Sequence, residues 1–141
     1  MTESKEFANI INNTIKDIII LLKEKRTFFN AYCYTEFISF DPPLPSDMSL
    51  SNEPIIMLAF ENYTFENIKI KDEAIIFETS FGIQNFVSTV TLPLLSIKQI
   101  TLGQELLFIN TSRLSVLNEP ELENSLNVFM NNPENEKFFK K

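Results

Sequence analysis

The chain has 141 residues, 44% of them hydrophobic, and 19 acids against 12 bases give a formal net charge of −7. That length suits one domain with tails and that apolar content suffices for a core, while the negative field repels nucleic acid and no Lys/Arg cluster with interleaved aromatics offsets it. With no His, imidazole acid–base catalysis and His ligation of metals are excluded, and two Gly leave no phosphate-cradling loop.

The first residues, Met1-Thr2-Glu3-Ser4-Lys5-Glu6, are not the basic start of a secretion signal. Residues 7–25 predict the clearest helix. Thr2 or Ser4 can cap it, acids sit in its first turns, and Lys23, Lys25 and Arg26 gather at its end, where the dipole favours cations. Phe7, Ile10, Ile11, Ile15, Ile18, Ile19, Leu21 and Leu22 spread over an arc of about 180°. A helix resting on one sheet needs a narrower stripe. Either the helix sinks deeply into its own domain, or it packs its own sheet and also a second subunit. In the second case Ile11, Ile15, Ile18 and Leu22 form a homodimer interface. The run at residues 18–22 is the longest apolar one and far too short to cross a bilayer. A soluble, cytoplasmic protein that binds no membrane is expected.

Residues 28–40 are aromatic and β-prone and read as the first strand; Asp41-Pro42-Pro43-Leu44-Pro45 ends it, since prolines donate nothing to a ladder. Within it lies the only cysteine, Cys33, which cannot form an internal disulfide, fits a reducing compartment and has no activating base; it reads as structural. Residues 47–52 read as a surface loop. Pro54 opens the apolar run 55–60, whose continuity suits a strand covered on both faces. Residues 61–66 are a connector. From residue 67 to 100 three β-rich runs follow: Ile68 and Ile70 alternate with Lys69 and Lys71, then come 75–81, a turn at 82–85, and 86–92, closed by Pro93. Short connections make them an antiparallel meander. Residues 94–100 form a short helical turn or a bent strand, and residues 102–110 the last strand. From Thr111 the composition turns to Asn, Glu and Pro, which marks a tail, with a possible short helix over 120–130 and an apolar-plus-basic end, Phe138-Phe139-Lys140-Lys141. The division is a body of residues 1–110 and a tail of 111–141.

No pair of acids sits beside a plausible metal partner, and Ser80 and Ser88 have no base to activate them, so no enzyme and no cofactor are expected. Small strand-rich domains without catalytic groups bind polypeptide by edge pairing or in a groove.

The order of segments resembles the stringent starvation protein B (SspB) family. Ile56-Met57-Leu58-Ala59-Phe60 is similar to that family's apolar strand, and Asn67-Ile68-Lys69-Ile70 follows at a matching distance. Phe77-Glu78-Thr79-Ser80-Phe81-Gly82 is similar to its Phe-x-x-x-Phe-Gly signature, and Val90-Thr91-Leu92-Pro93-Leu94 to its Val-x-Val-Pro strand. Phe37-Ile38-Ser39-Phe40-Asp41 resembles the alphaproteobacterial-like members. The match covers residues 7–109. Where the family has Gly-Gly, Gly82 is followed by Ile83, and the turn is about two residues longer.

The resemblance implies an α+β, mainly β fold: an N-terminal dimerising helix, then a small bent antiparallel sheet or partly open barrel related to Sm-like folds, then a C-terminal tail. It implies an adaptor that carries ssrA-tagged, incomplete polypeptides to the ClpXP protease. The tag lies in a groove on the sheet, and an apolar-plus-basic tail end docks on ClpX. Here Phe77, Thr79, Ser80, Phe81, Val87 and Thr89 are the candidate groove residues, and Phe138, Phe139, Lys140 and Lys141 the candidate docking end. The same apolar residues can equally be core, and the same terminus a frayed charged end. The alternative function is a small acidic chaperone dimer that holds a secreted or unfolded client.

Overall fold

Ser4 sets the start of the first helix, α1 (Lys5–Glu24): its hydroxyl accepts a hydrogen bond from the Phe7 N–H at 3.1 Å, satisfying one of the orphan donors of the first turn. A computed structural model describes residues 1–48, 53–82 and 84–113. After α1 come β1 (Phe29–Tyr34), β2 (Ser39–Asp41), β3 (Ile55–Phe60), α2 (Asn62–Glu66), β4 (Lys69–Lys71), β5 (Ala74–Phe81), β6 (Phe86–Pro93), β7 (Ile97–Leu102) and β8 (Glu105–Ile109). The strands form two four-stranded antiparallel sheets, ordered β3-β1-β7-β8 and β2-β6-β5-β4. The fold is α+β and mainly β, and the strands do not close into a barrel.

The strand expected over residues 28–40 is two strands in different sheets. A 3-10 turn at Thr35–Phe37 separates them, with the Ile38 N–H bonded back to the Thr35 carbonyl at 3.1 Å. That local bond interrupts the ladder and redirects the chain from β1 to β2. The meander of β4, β5 and β6 matches the sequence pattern. Its turns are made by residues that tolerate positive φ: Asp72 at 55°, Gly82 at 73° and Asn85 at 53°. Residues 94–100 hold both expected forms in succession, a 3-10 turn at Leu94–Ser96 and then β7. Leu102 closes β7, and β8 begins only after a turn at Gly103, whose φ is 61°. Residues 61–66, expected as a plain connector, contain α2.

Two sheets and one helix share a single core. Ile15 and Ile19 of α1, Phe60, Ile97 and Ile100 of the first sheet, and Ile75, Phe77, Val90 and Leu92 of the second are all fully buried. Each such side chain contributes roughly 1.5–3 kcal/mol of burial. Phe60 links the sheets, stacking on Phe29 at 4.8 Å and meeting Phe77 edge-on, also at 4.8 Å. The helix is tied down at both ends of its buried face. Asn12 donates to the Glu73 carboxylate in the β4–β5 turn, and Lys23 donates to the Phe65 carbonyl at 2.7 Å while lying over the Phe65 ring.

This geometry corrects two expectations. Ile11, Ile15 and Leu22 are buried in the chain's own core and present no face to a second subunit, while Ile18 packs half-buried against that core. The arc is wide because it joins a buried stripe, Ile11, Ile15, Ile19 and Leu22, to apolar positions that face outward. The outward apolar positions of the helix are Ile10, 61% exposed, and Leu21, 51% exposed, with Ile20 beside them. Strand β3, expected to be covered on both faces, is an edge strand whose Ile55 and Met57 side chains face outward. The possible helix over 120–130 and the terminal Phe138, Phe139, Lys140 and Lys141 fall outside the described residues. Among the described residues no helix is long and apolar enough to cross a membrane.

Candidate peptide groove

Strand β5 has two halves with different neighbours. Ala74, Ile75 and Ile76 pair with β4 on one side, but β4 is only three residues long and its pairing stops there. Beyond it Asn67 takes over. Its Oδ1 accepts from the Glu78 N–H at 2.6 Å and its Nδ2 donates to the Glu78 carbonyl at 3.1 Å. One side chain thus satisfies both edge-facing backbone groups of Glu78. By the two-residue period of a strand, the N–H and C=O of Ser80 point to the same side, and no described strand pairs with them there.

At this point the surface opens into a groove of about 400 Å³ lined by Ala59 at the end of β3, Glu61, Asn62, Tyr63 and Thr64 of the α2 region, Thr79 and Ser80 of β5, and Val87 of β6. Helix α2 is held against the strand by two side-chain bonds. The Tyr63 hydroxyl donates to the Glu78 carboxylate at 2.9 Å, and the Thr64 and Thr79 hydroxyls lie 3.0 Å apart in a hydrogen bond. The bond to Glu78 and its negative charge raise the Tyr63 phenol above its ordinary range. Asn67 also closes the helix, donating to the Tyr63 carbonyl at 2.6 Å.

Of the six candidate groove residues, Thr79, Ser80 and Val87 line this opening. Phe77 does not: it is buried against Phe60 and belongs to the core. Phe81 packs half-buried against Phe40 with ring centres 5.6 Å apart, and Thr89 sits between Glu78 and Asp41 on neighbouring strands; neither lines the groove. Parity separates inward Phe77 from outward Ser80, but position along the strand also decides: Thr79 shares the parity of Phe77 and reaches the groove because it lies beside α2, bonded to Thr64. Ala59, Glu61, Asn62, Tyr63 and Thr64 complete the lining and had not been singled out from the sequence. Their only signal is a short polar run directly after an apolar strand.

A second cavity, of about 800 Å³, lies at the opposite end of β3. Its lining includes Tyr34, Glu36, Ile38, Phe40, Glu53 and Pro54. Cys33 is fully buried, and burial pushes its thiol up, out of reach of ionisation at neutral pH. Among the described residues no cluster of Cys, Asp or Glu is placed to hold a metal ion. No protein-family model matches the chain, and no curated protein matches it significantly.

Proposed function

We propose that this chain is a non-enzymatic adaptor of the SspB type. It holds an ssrA-type tag on an incomplete polypeptide in the groove beside β5 and delivers the client to the ClpX unfoldase of ClpXP. The observation that carries this reading is the groove itself. It combines an apolar wall at Ala59 and Val87, hydroxyls at Thr64, Thr79 and Ser80, and backbone groups of Ser80 that no described strand pairs with. Apolar contact plus main-chain and hydroxyl partners is what an extended peptide requires. In this reading the adaptor works in the cytoplasm as a homodimer, with the outward strip of Ile10 and Leu21 as the paired surface, and the end Phe138-Phe139-Lys140-Lys141 docks on ClpX.

Fluorescence anisotropy of a labelled tag peptide tests the groove. Val87 is 55% exposed, so Val87→Arg is expected to keep the fold and weaken binding at least tenfold by filling the opening. Thr79→Gln adds bulk to the same wall. Unchanged affinity in both folded variants removes this groove as the tag site.

A further inference from the structure

The edge of β3 that no described strand covers joins the two cavities, and its hydrogen-bonding phase can be read directly. The Thr35 N–H donates to the Pro54 carbonyl at 3.0 Å, one step beyond the Tyr34↔Ile55 pair. That bond makes 35/54 a hydrogen-bonded pair, so Cys33↔Ile56, Ala31↔Leu58 and Phe29↔Phe60 are hydrogen-bonded pairs as well. The backbone groups of Ile55, Met57 and Ala59 therefore point away from β1, along an edge that no described strand covers. Pro54, at one end of this edge, lines the 800 Å³ cavity, and Ala59, at the other, lines the 400 Å³ groove. Among the described residues its protection is slight: beyond Pro54 at its start, the edge is six residues long, uncharged and apolar, with Met57 half exposed. Both cavities are lined with carboxylates, Glu36 and Glu53 at one end and Glu61 at the other, with no Lys or Arg among the described lining residues.

We propose that β3 is a strand-addition site: an extended peptide lies along residues 55–59 as a fifth strand of its sheet. Its backbone bonds to Ile55, Met57 and Ala59, and its inward side chains enter the two cavities. The acidic ends select a segment that is apolar with a cationic side chain and free of acids. This rests on the peptide-adaptor reading but seats the peptide along β3, with only its Ala59 end in the groove beside β5.

Amide hydrogen exchange of the full chain tests it. Three probes are added in turn: a labelled ssrA-type tag peptide, a hexapeptide of alternating valine and threonine with one central lysine, and the same hexapeptide with glutamate in place of lysine. Anisotropy reports whether each binds, and exchange reports where. The expected result is slowed exchange at Met57 and Ala59, with Ile56 and Leu58, already bonded to β1, unchanged. The lysine peptide should bind roughly tenfold tighter than the glutamate peptide. Met57→Pro, which removes an edge-facing donor and none of the donors bonded to β1, should abolish binding where Met57→Ala preserves it. The wild-type exchange pattern stands even if the proline variant fails to fold. Protection at Ser80 in place of Met57 and Ala59 overturns the β3 site and leaves the adaptor reading standing. Hexapeptide protection without tag binding supports the β3 site and overturns the ssrA reading. Binding of no probe overturns both. Protection at Met57 that rises with protein concentration and needs no peptide assigns the edge to a second copy and overturns the peptide proposal.

Discussion

Asn67 replaces a missing strand. Its amide bonds both edge-facing backbone groups of Glu78, which are half-buried, and also closes α2 at the exposed Tyr63 carbonyl, so three backbone groups depend on one side chain. Asn67→Asp keeps the acceptor and removes the donors, setting a carboxylate against the Tyr63 and Glu78 carbonyls. The expected cost is about 1–3 kcal/mol, read as a fall of several degrees in the thermal midpoint. An unchanged midpoint refutes the bridging role. Next to it, the raised Tyr63 phenol gives a signed pH effect. Its folded pKa lies above the unfolded value, so the bond to Glu78 adds stability below the ordinary phenol range, and this is lost as pH rises through the folded value. NMR titration of the Tyr63 ring should show its pKa fall towards the ordinary value in Glu78→Gln. No fall means the bond to Glu78 does not hold the proton. Cys33 should resist thiol reagents until the chain unfolds, because its sulfur is fully buried and protonated.

At the scale of elements, α1 separates a structural stripe from an exposed one. Ile15→Ala opens a cavity under both sheets and should cost about 2–5 kcal/mol in denaturant unfolding. Ile10 and Leu21 are eleven residues apart, within roughly 20° of each other around the helix, and both are exposed. Leu21→Glu should therefore leave unfolding nearly unchanged, and it should shift the sedimentation coefficient to that of a monomer if this strip pairs two copies. A wild-type chain that sediments as a monomer removes the dimer. The helix was legible from its cap and its apolar arc, but the arc alone could not say which side met the core. That depends on where the sheets pack, a long-range fact. The meander was legible because alternation and turn residues are local. The break in residues 28–40 was not, because the polar pair Thr35-Glu36 is a weak signal between aromatic residues on both sides, and a local Ile38–Thr35 bond makes the turn. For the groove, strand parity could have separated Phe77 from Ser80, whereas Tyr63, Thr64 and Ala59 reach β5 only through tertiary packing.

Taken as a whole, the molecule carries a candidate peptide groove and, on the same chain, a chemically distinct end. Nineteen acids against twelve bases make the chain acidic, yet its last four residues pair two Phe with two Lys. Such an end suits an acidic, partly apolar docking surface and repels nothing there. In the proposed adaptor reading, a groove and a docking end on one chain would turn capture of the client by the unfoldase into an effectively intramolecular step, at a local concentration that reaches roughly millimolar for short connections. The benefit is greatest when the client is dilute. Ending the chain after Asn132 should therefore leave the anisotropy isotherm for the tag peptide unchanged. It should also abolish the stimulation of ClpXP degradation at client concentrations well below the KM, with little effect at saturation. In mixed dimers, if the chain pairs, one intact end should give intermediate stimulation. Full stimulation by the truncated chain places the tether elsewhere. Loss of tag binding together with a lowered thermal midpoint makes Phe138 and Phe139 part of the folded body, and the docking role then falls.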